Sequence, residues 1–142
     1  MSWEPVIPVI QGGAAHGVRA AIRIDRANGS HRLVVALGSD VLRLMRWGPG
    51  ISMTVLRGSQ NDLGKLRLSA GNGGKGYKLA RLHSSKNGHH QYGLRLPLWY
   101  GMPLNSRRMA SCGWEVAENR SFLEIRLPRW ALSEFDIGEA AE

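Results

Sequence analysis

Apolar and polar positions alternate along much of this chain, and the alternation predicts a mainly β protein. From Val18 to Asp25, Ala20, Ile22 and Ile24 face one way and Arg19, Arg23 and Asp25 the other. Asn28-Gly29 is a hairpin signal, and His31 to Leu37 supplies the partner strand. The period then lengthens. Ser39 or Asp40 can cap a short helix through Arg46, with Val41, Leu44 and Met45 on its inner face. Gly48-Pro49-Gly50 forbids that helix to continue. Ile51, Met53 and Val55 then alternate with Ser52, Thr54 and Leu56, and Leu66 and Leu68 with Lys65 and Arg67. Gly58 to Gly64 is the polar turn between these two strands, so Met53 to Leu68 reads as a hairpin.

The second half reads on the same plan. Leu94 and Leu96 precede Trp114 and Val116 as Leu33 and Val35 precede Met53 and Val55, each pair 61 residues later. Tyr77 to His83 is the expected first strand, Ser84 to Gly88 its hairpin loop, and Leu123, Ile125 and Leu127 line the last strand. Between Pro97 and Ser111, Gly101 and Pro103 interrupt any helical stripe, so a loop or single turn is expected there. The expected organisation is an extended arm over 1–17, one unit over 18–70, a glycine-rich connector over 71–76, a second unit over 77–130 and an acidic tail over 131–142.

The order strand, strand, short helix, strand, strand resembles AbrB/MazE-type swapped-hairpin DNA-binding domains. Trp47-Gly48-Pro49-Gly50 is similar to the hydrophobic-x-x-Gly-Asp turn of that family, with Ile51 in place of the aspartate. Leu94-Arg95-Leu96-Pro97 resembles its second-strand ending. The family builds its barrel from two chains. The resemblance therefore implies tandem β-β-α-β-β units, with one or two short helices, forming a swapped-hairpin-like pseudo-dimeric barrel. It also implies DNA contact at the first hairpin of each unit.

Charge points to a polyanionic partner. All 19 Lys and Arg residues lie between Arg19 and Arg129, where six acids oppose them, a net +13. From Arg43 to Arg108, 12 basic residues meet only Asp62. Such a body attracts phosphates, because each neutralised phosphate releases condensed counterions. Arginine outnumbers lysine by 15 to 4, and guanidinium pairs bidentately with phosphate oxygens. The last ten residues carry Glu134, Asp136, Glu139 and Glu142 and no base. Such a tail shields a basic face or docks on a partner.

Other chemistry finds little support. Gly71, Gly73 and Gly76 spell G-x-G-x-x-G, but Tyr77-Lys78-Leu79 reads as a strand rather than a helix start, which argues against a dinucleotide site. His89-His90 lacks neighbours at metal-ligand spacing. Cys112 beside Trp114 reads as a small buried residue, and with one cysteine no internal disulfide forms. Asp62 is the only acid between Asp40 and Glu115, which starves acid–base mechanisms. No enzyme activity, metal or cofactor is expected. No apolar run reaches the roughly 18 residues of a membrane span. Met1-Ser2-Trp3-Glu4-Pro5 lacks a secretory pattern, so a cytoplasmic location with no membrane partner is expected.

The expected function is nucleic-acid binding, with duplex DNA favoured, as a small transcriptional regulator of prokaryotic or phage type. The protein would be a monomeric pseudo-dimer or a homodimer. Arg19, Arg23, Arg26 and Arg32 flank the first hairpin, and Lys78, Arg81 and Lys86 the second. Arg95, Arg107 and Arg108 extend the basic surface beside Trp99-Tyr100, which can stack unpaired bases or pack into the core. That pair keeps single-stranded DNA or RNA open as ligands. An antitoxin-like or phage-type module meeting an acidic protein is the reading from another class. Trp47, Trp114 and Trp130 are expected in the core or an interface.

Overall fold

The computed structural model describes residues 16–25, 27–71, 76–84, 90–99 and 102–131. The expected arm up to 15, most of the glycine-rich connector, the second hairpin loop and the acidic tail lie outside the described residues. Nine strands and one helix follow in the order β1 (Val18–Ile24), β2 (His31–Leu37), α1 (Ser39–Met45), β3 (Ser52–Arg57), β4 (Lys65–Ala70), β5 (Tyr77–Lys78), β6 (Ala80–Ser84), β7 (His90–Pro97), β8 (Arg107–Val116) and β9 (Leu123–Arg126). The strands form one antiparallel sheet, ordered β5-β3-β4-β9-β8-β1-β2-β7-β6. Its two edge strands are consecutive in the chain and separated by Leu79 alone, so the sheet curls into a nearly closed barrel.

Two segments carry that curvature. The segment from Tyr77 to Ser84 pairs with β3 through Tyr77 and Lys78, then with β7 from Ala80 onward. The sequence pattern predicts one continuous strand there; the structure breaks it at Leu79, where hydrogen bonding changes partner. β8 does the same, pairing with β1 up to Cys112 and with β9 from Gly113. Strands shared between two pairings let a twisted sheet close and leave fewer free edges.

The interior follows from period-two alternation. Ala20, Ile22, Leu33, Val35, Leu66, Leu68, Leu94, Leu123 and Ile125 are all fully buried in one apolar cluster. Burying a side chain of this size contributes roughly 1.5–3 kcal/mol, which is why strands with this pattern coalesce around one core. Two positions depart from the expected faces. Ile24 ends β1, where the hairpin loop begins at Asp25, and is 54% exposed. Trp114 is 38% exposed, whereas Met53, its counterpart at the 61-residue offset, is fully buried. Trp47 is buried and Trp130 half-buried against the core, as expected of them.

The helix lies across one end of this core through Val41 and Met45, with Leu42 half-buried against the cluster; Leu44, expected inside, points outward. Its N-cap is Gly38, which has no side chain to offer. Asp40 supplies part of the missing cap by accepting the Val41 amide at 2.9 Å. The same carboxylate accepts the Gly17 amide at 2.9 and 3.1 Å, which ties the helix start to the start of β1. Gly17 has φ +68°, and a Cβ there would stand 3.0 Å from Trp114 Nε1, so the position requires glycine twice over. The helix stops one turn before Gly48-Pro49-Gly50. Arg46 adopts the left-handed conformation at φ 59°, and the Trp47 amide donates back to the Leu42 carbonyl at 2.9 Å. Between β7 and β8 the described residues hold no helix.

Candidate functional site

Three adjacent strands set out the most arginine-rich part of the outer surface. The register places Arg19 opposite Ala36, Ala21 opposite Val34 and Arg23 opposite Arg32 across β1 and β2. Across β2 and β7 it places Ala36 opposite Gly93, Val34 opposite Arg95 and Arg32 opposite Pro97. The residues on the face turned away from the core cluster thus form three rows, Arg19–Ala36–Gly93, Ala21–Val34–Arg95 and Arg23–Arg32–Pro97, of which Ala21, Val34, Ala36 and Gly93 are themselves buried. Alanine, glycine and valine side chains end close to the backbone, whereas arginine extends several bonds further. A groove of about 730 Å³ is lined by the short Val34 together with the long side chains of Arg23, Arg32 and Arg95. Asp25 and Gln91 join them, and Ile24, Leu82 and Met109 give it an apolar bank.

Electrostatics inside the groove are unbalanced. The Arg32 Nε donates to Asp25 Oδ2 at 3.1 Å, and Asp25 Oδ1 accepts the Ala27 amide at 3.0 Å. The Ala27 amide, followed by the Arg32 guanidinium and the nearby charge of Arg95, holds the Asp25 carboxyl below its ordinary range. Among the described residues Arg95 makes only a long contact, Nη2 to the Leu82 carbonyl at 3.5 Å. Arg23 has no hydrogen-bond or ion-pair partner among the described residues. It could have paired with Asp25 or Glu124, but Asp25 holds Arg32, and Glu124 holds Arg67 at 3.0 Å. Three guanidiniums therefore share one carboxylate.

The structure brings together some of the residues expected to bind nucleic acid and separates others. Arg23, Arg32 and Arg95 line the groove. Arg19 shares their face, one row from Arg95 and two from Arg23 and Arg32, with its Nε buried and without a hydrogen-bond partner among the described residues; Arg107 Nε, on the neighbouring β8, is in the same state. Arg108 is exposed but does not line the groove. Lys78 and Arg81 are exposed on the closing strand, and neither reaches the groove. Arg26, Lys86 and Tyr100 lie outside the described residues. Trp99 is half-buried against the core, with the Arg57 guanidinium 5.5 Å from its ring centroid. Gln91, Leu82 and Met109 are groove residues that sequence reasoning missed. The signal for one of them was alternation: Gln91 lies two and four residues before Gly93 and Arg95 on β7 and so shares their face, whereas Leu82 sits at the register shift between Arg81 and His83.

The remaining chemistry is sparse. Burial pushes the Cys112 thiol up to about 12, far from a nucleophile's range. Among the described residues no group of three His, Cys, Asp or Glu side chains could hold a metal ion, and no helix is long and apolar enough to cross a membrane. What the fold and groove define is an antiparallel β-barrel protein with an arginine-lined outer sheet face. Compared with family models, curated proteins and solved structures, the chain matches none of them.

Proposed function

We propose that this chain is a nucleic-acid-binding protein, with duplex DNA as its favoured ligand, acting as a small transcriptional regulator. One observation carries the reading: three arginines converge on one groove of the outer sheet face with a single carboxylate among them. An arginine surplus held on a rigid sheet suits phosphates, whose oxygens take paired guanidinium donors. The net +13 between Arg19 and Arg129 supplies the long-range attraction.

The finer reading is a swapped-hairpin-like pseudo-dimer, and the ring of strands supports it. Exchanging β1, β2, β3 and β4 for the β5–β6 segment, β7, β8 and β9 leaves every strand with equivalent neighbours. β2 pairs with β7 and β4 with β9, so each of these pairs exchanges with itself. The second unit has no described counterpart of α1.

A salt-titrated binding assay against duplex DNA, single-stranded DNA and RNA tests the reading. The expected result is tightest binding to duplex, with log K falling linearly in log salt concentration. Binding that is absent, or insensitive to salt, would overturn it in favour of an acidic protein partner.

A further inference from the structure

We propose that the groove above Val34 is a single-phosphate site, with Arg23 and Arg95 as its free donors and Arg32 as a fixed, partly neutralised third charge. For the phosphate's origin it rests on the nucleic-acid reading; the site itself does not.

Four observations point this way. Arg23 and Arg32 stand directly opposite each other, and like charges at cross-strand positions repel. Asp25 offsets that repulsion only on the Arg32 side and leaves Arg23 with no partner among the described residues, whereas an anion between the strands would balance both. Second, the two guanidiniums not committed to Asp25 come from β1 and β7, on either side of Val34, so they can close on one ligand from two directions. Third, Asp25 is anchored by the Ala27 amide and Arg32, so a fixed carboxylate occupies one end of the groove. It repels a second phosphate and limits the site to one.

The fourth observation is shape. These arginines line a hollow, which does not present them as a ridge to a DNA groove. A hollow fits a convex ligand, and the phosphodiester backbone is one. Ile24, Leu82 and Met109 would then lie against the flanking sugar. Arg23 is in this view a positioning contact, indifferent to sequence. A free nucleotide carries the same phosphate chemistry, so the test separates the two sources.

The experiment follows the melting temperature of the full chain in phosphate and in chloride at matched ionic strength, for wild type, Arg23→Gln, Arg95→Gln and the control Arg108→Gln. Wild type and the control should be stabilised by phosphate over chloride. Arg23→Gln should melt higher than wild type in chloride, because the repulsion is gone, and should lose the phosphate increment, as should Arg95→Gln. A purely structural arginine would not raise stability and abolish the increment together. An equal increment in all four proteins, or none in wild type, overturns the site.

Source is then read with mononucleotide and duplex. If the phosphate is a backbone one, Arg23→Gln weakens all duplex sequences alike and lowers the salt slope by about one. If duplex binding is unchanged while a mononucleotide loses about tenfold or more in affinity, the source is a free nucleotide. A wild type that binds no nucleic acid yet keeps a groove-dependent phosphate increment would sink the nucleic-acid reading and leave the site standing.

Discussion

Leu79 donates its amide to the Ile51 carbonyl at 2.9 Å, and its own carbonyl accepts the Gly50 amide at 2.8 Å. These two bonds fall where the sheet's edge strands meet, and the Leu79 side chain is 1% exposed in the core. One residue therefore joins both edges and fills the interior between them. Leu79→Ala should cost about 2–5 kcal/mol, measured by chemical denaturation. Its amide should also be among the slowest to exchange with solvent. A loss under 1 kcal/mol would mean that the core between these strands does not depend on the Leu79 side chain.

Gly93 marks the closest approach of β7 to its neighbour. A Cβ there would collide with the Val35 carbonyl oxygen, and the Leu82 side chain also lies in its path. A clash with backbone relaxes less readily than one with a side-chain tip. Gly93→Ala should destabilise by about 3 kcal/mol or more, visible as a fall in melting temperature or in soluble yield.

Arg46 offers the opposite sign. It is a non-glycine residue at φ 59°, at the point where α1 ends. Left-handed backbone costs an L-residue roughly 1–2 kcal/mol that glycine largely avoids. Arg46→Gly should therefore raise stability by roughly 1 kcal/mol, whereas Arg46→Ala, which keeps a Cβ, should not. Thermal melts of the two variants side by side check this.

Asp25 should give the fold a specific acid sensitivity. Its folded pKa lies below the ordinary value of its carboxyl group, through the Ala27 amide first and Arg32 after it. A depressed carboxylate contributes stability above its unfolded pKa and loses that contribution as pH falls through the folded value. As pH falls through the acid range of the carboxylate, Asp25→Asn should therefore lose stability less steeply than wild type. Denaturation curves across that range decide the point; identical slopes would mean that the carboxylate's anchoring contributes nothing.

The legible part of the site was its residue types. Arg19 and Arg23 could be placed on one strand face by their separation alone, since side chains alternate. Their neighbours could not. Arg32 faces Arg23 because the hairpin loop runs from Asp25 to Ser30, closed by the Asp25 amide on the Ser30 carbonyl at 2.7 Å. Arg95 arrives from 61 residues beyond Val34, through a pairing of β2 with β7 that no local pattern encodes. The same limit explains Trp114. Its place in an apolar segment suggested the core, but β8 changes partner at Gly113 and leaves the ring half in solvent.

What the chain determined by itself was the inward face of most strands, the turns after β1 and β3 and the sign of the chain's charge. These depend on a residue and its near neighbours: alternation selects a face, glycine permits a positive φ, and charge is additive. Tertiary structure alone decided which strands lie side by side, that Leu79 closes the sheet, and that three arginines surround Val34. Those outcomes depend on pairing between distant segments, where closing a long loop costs entropy that only a complete core repays, so no single segment carries the information.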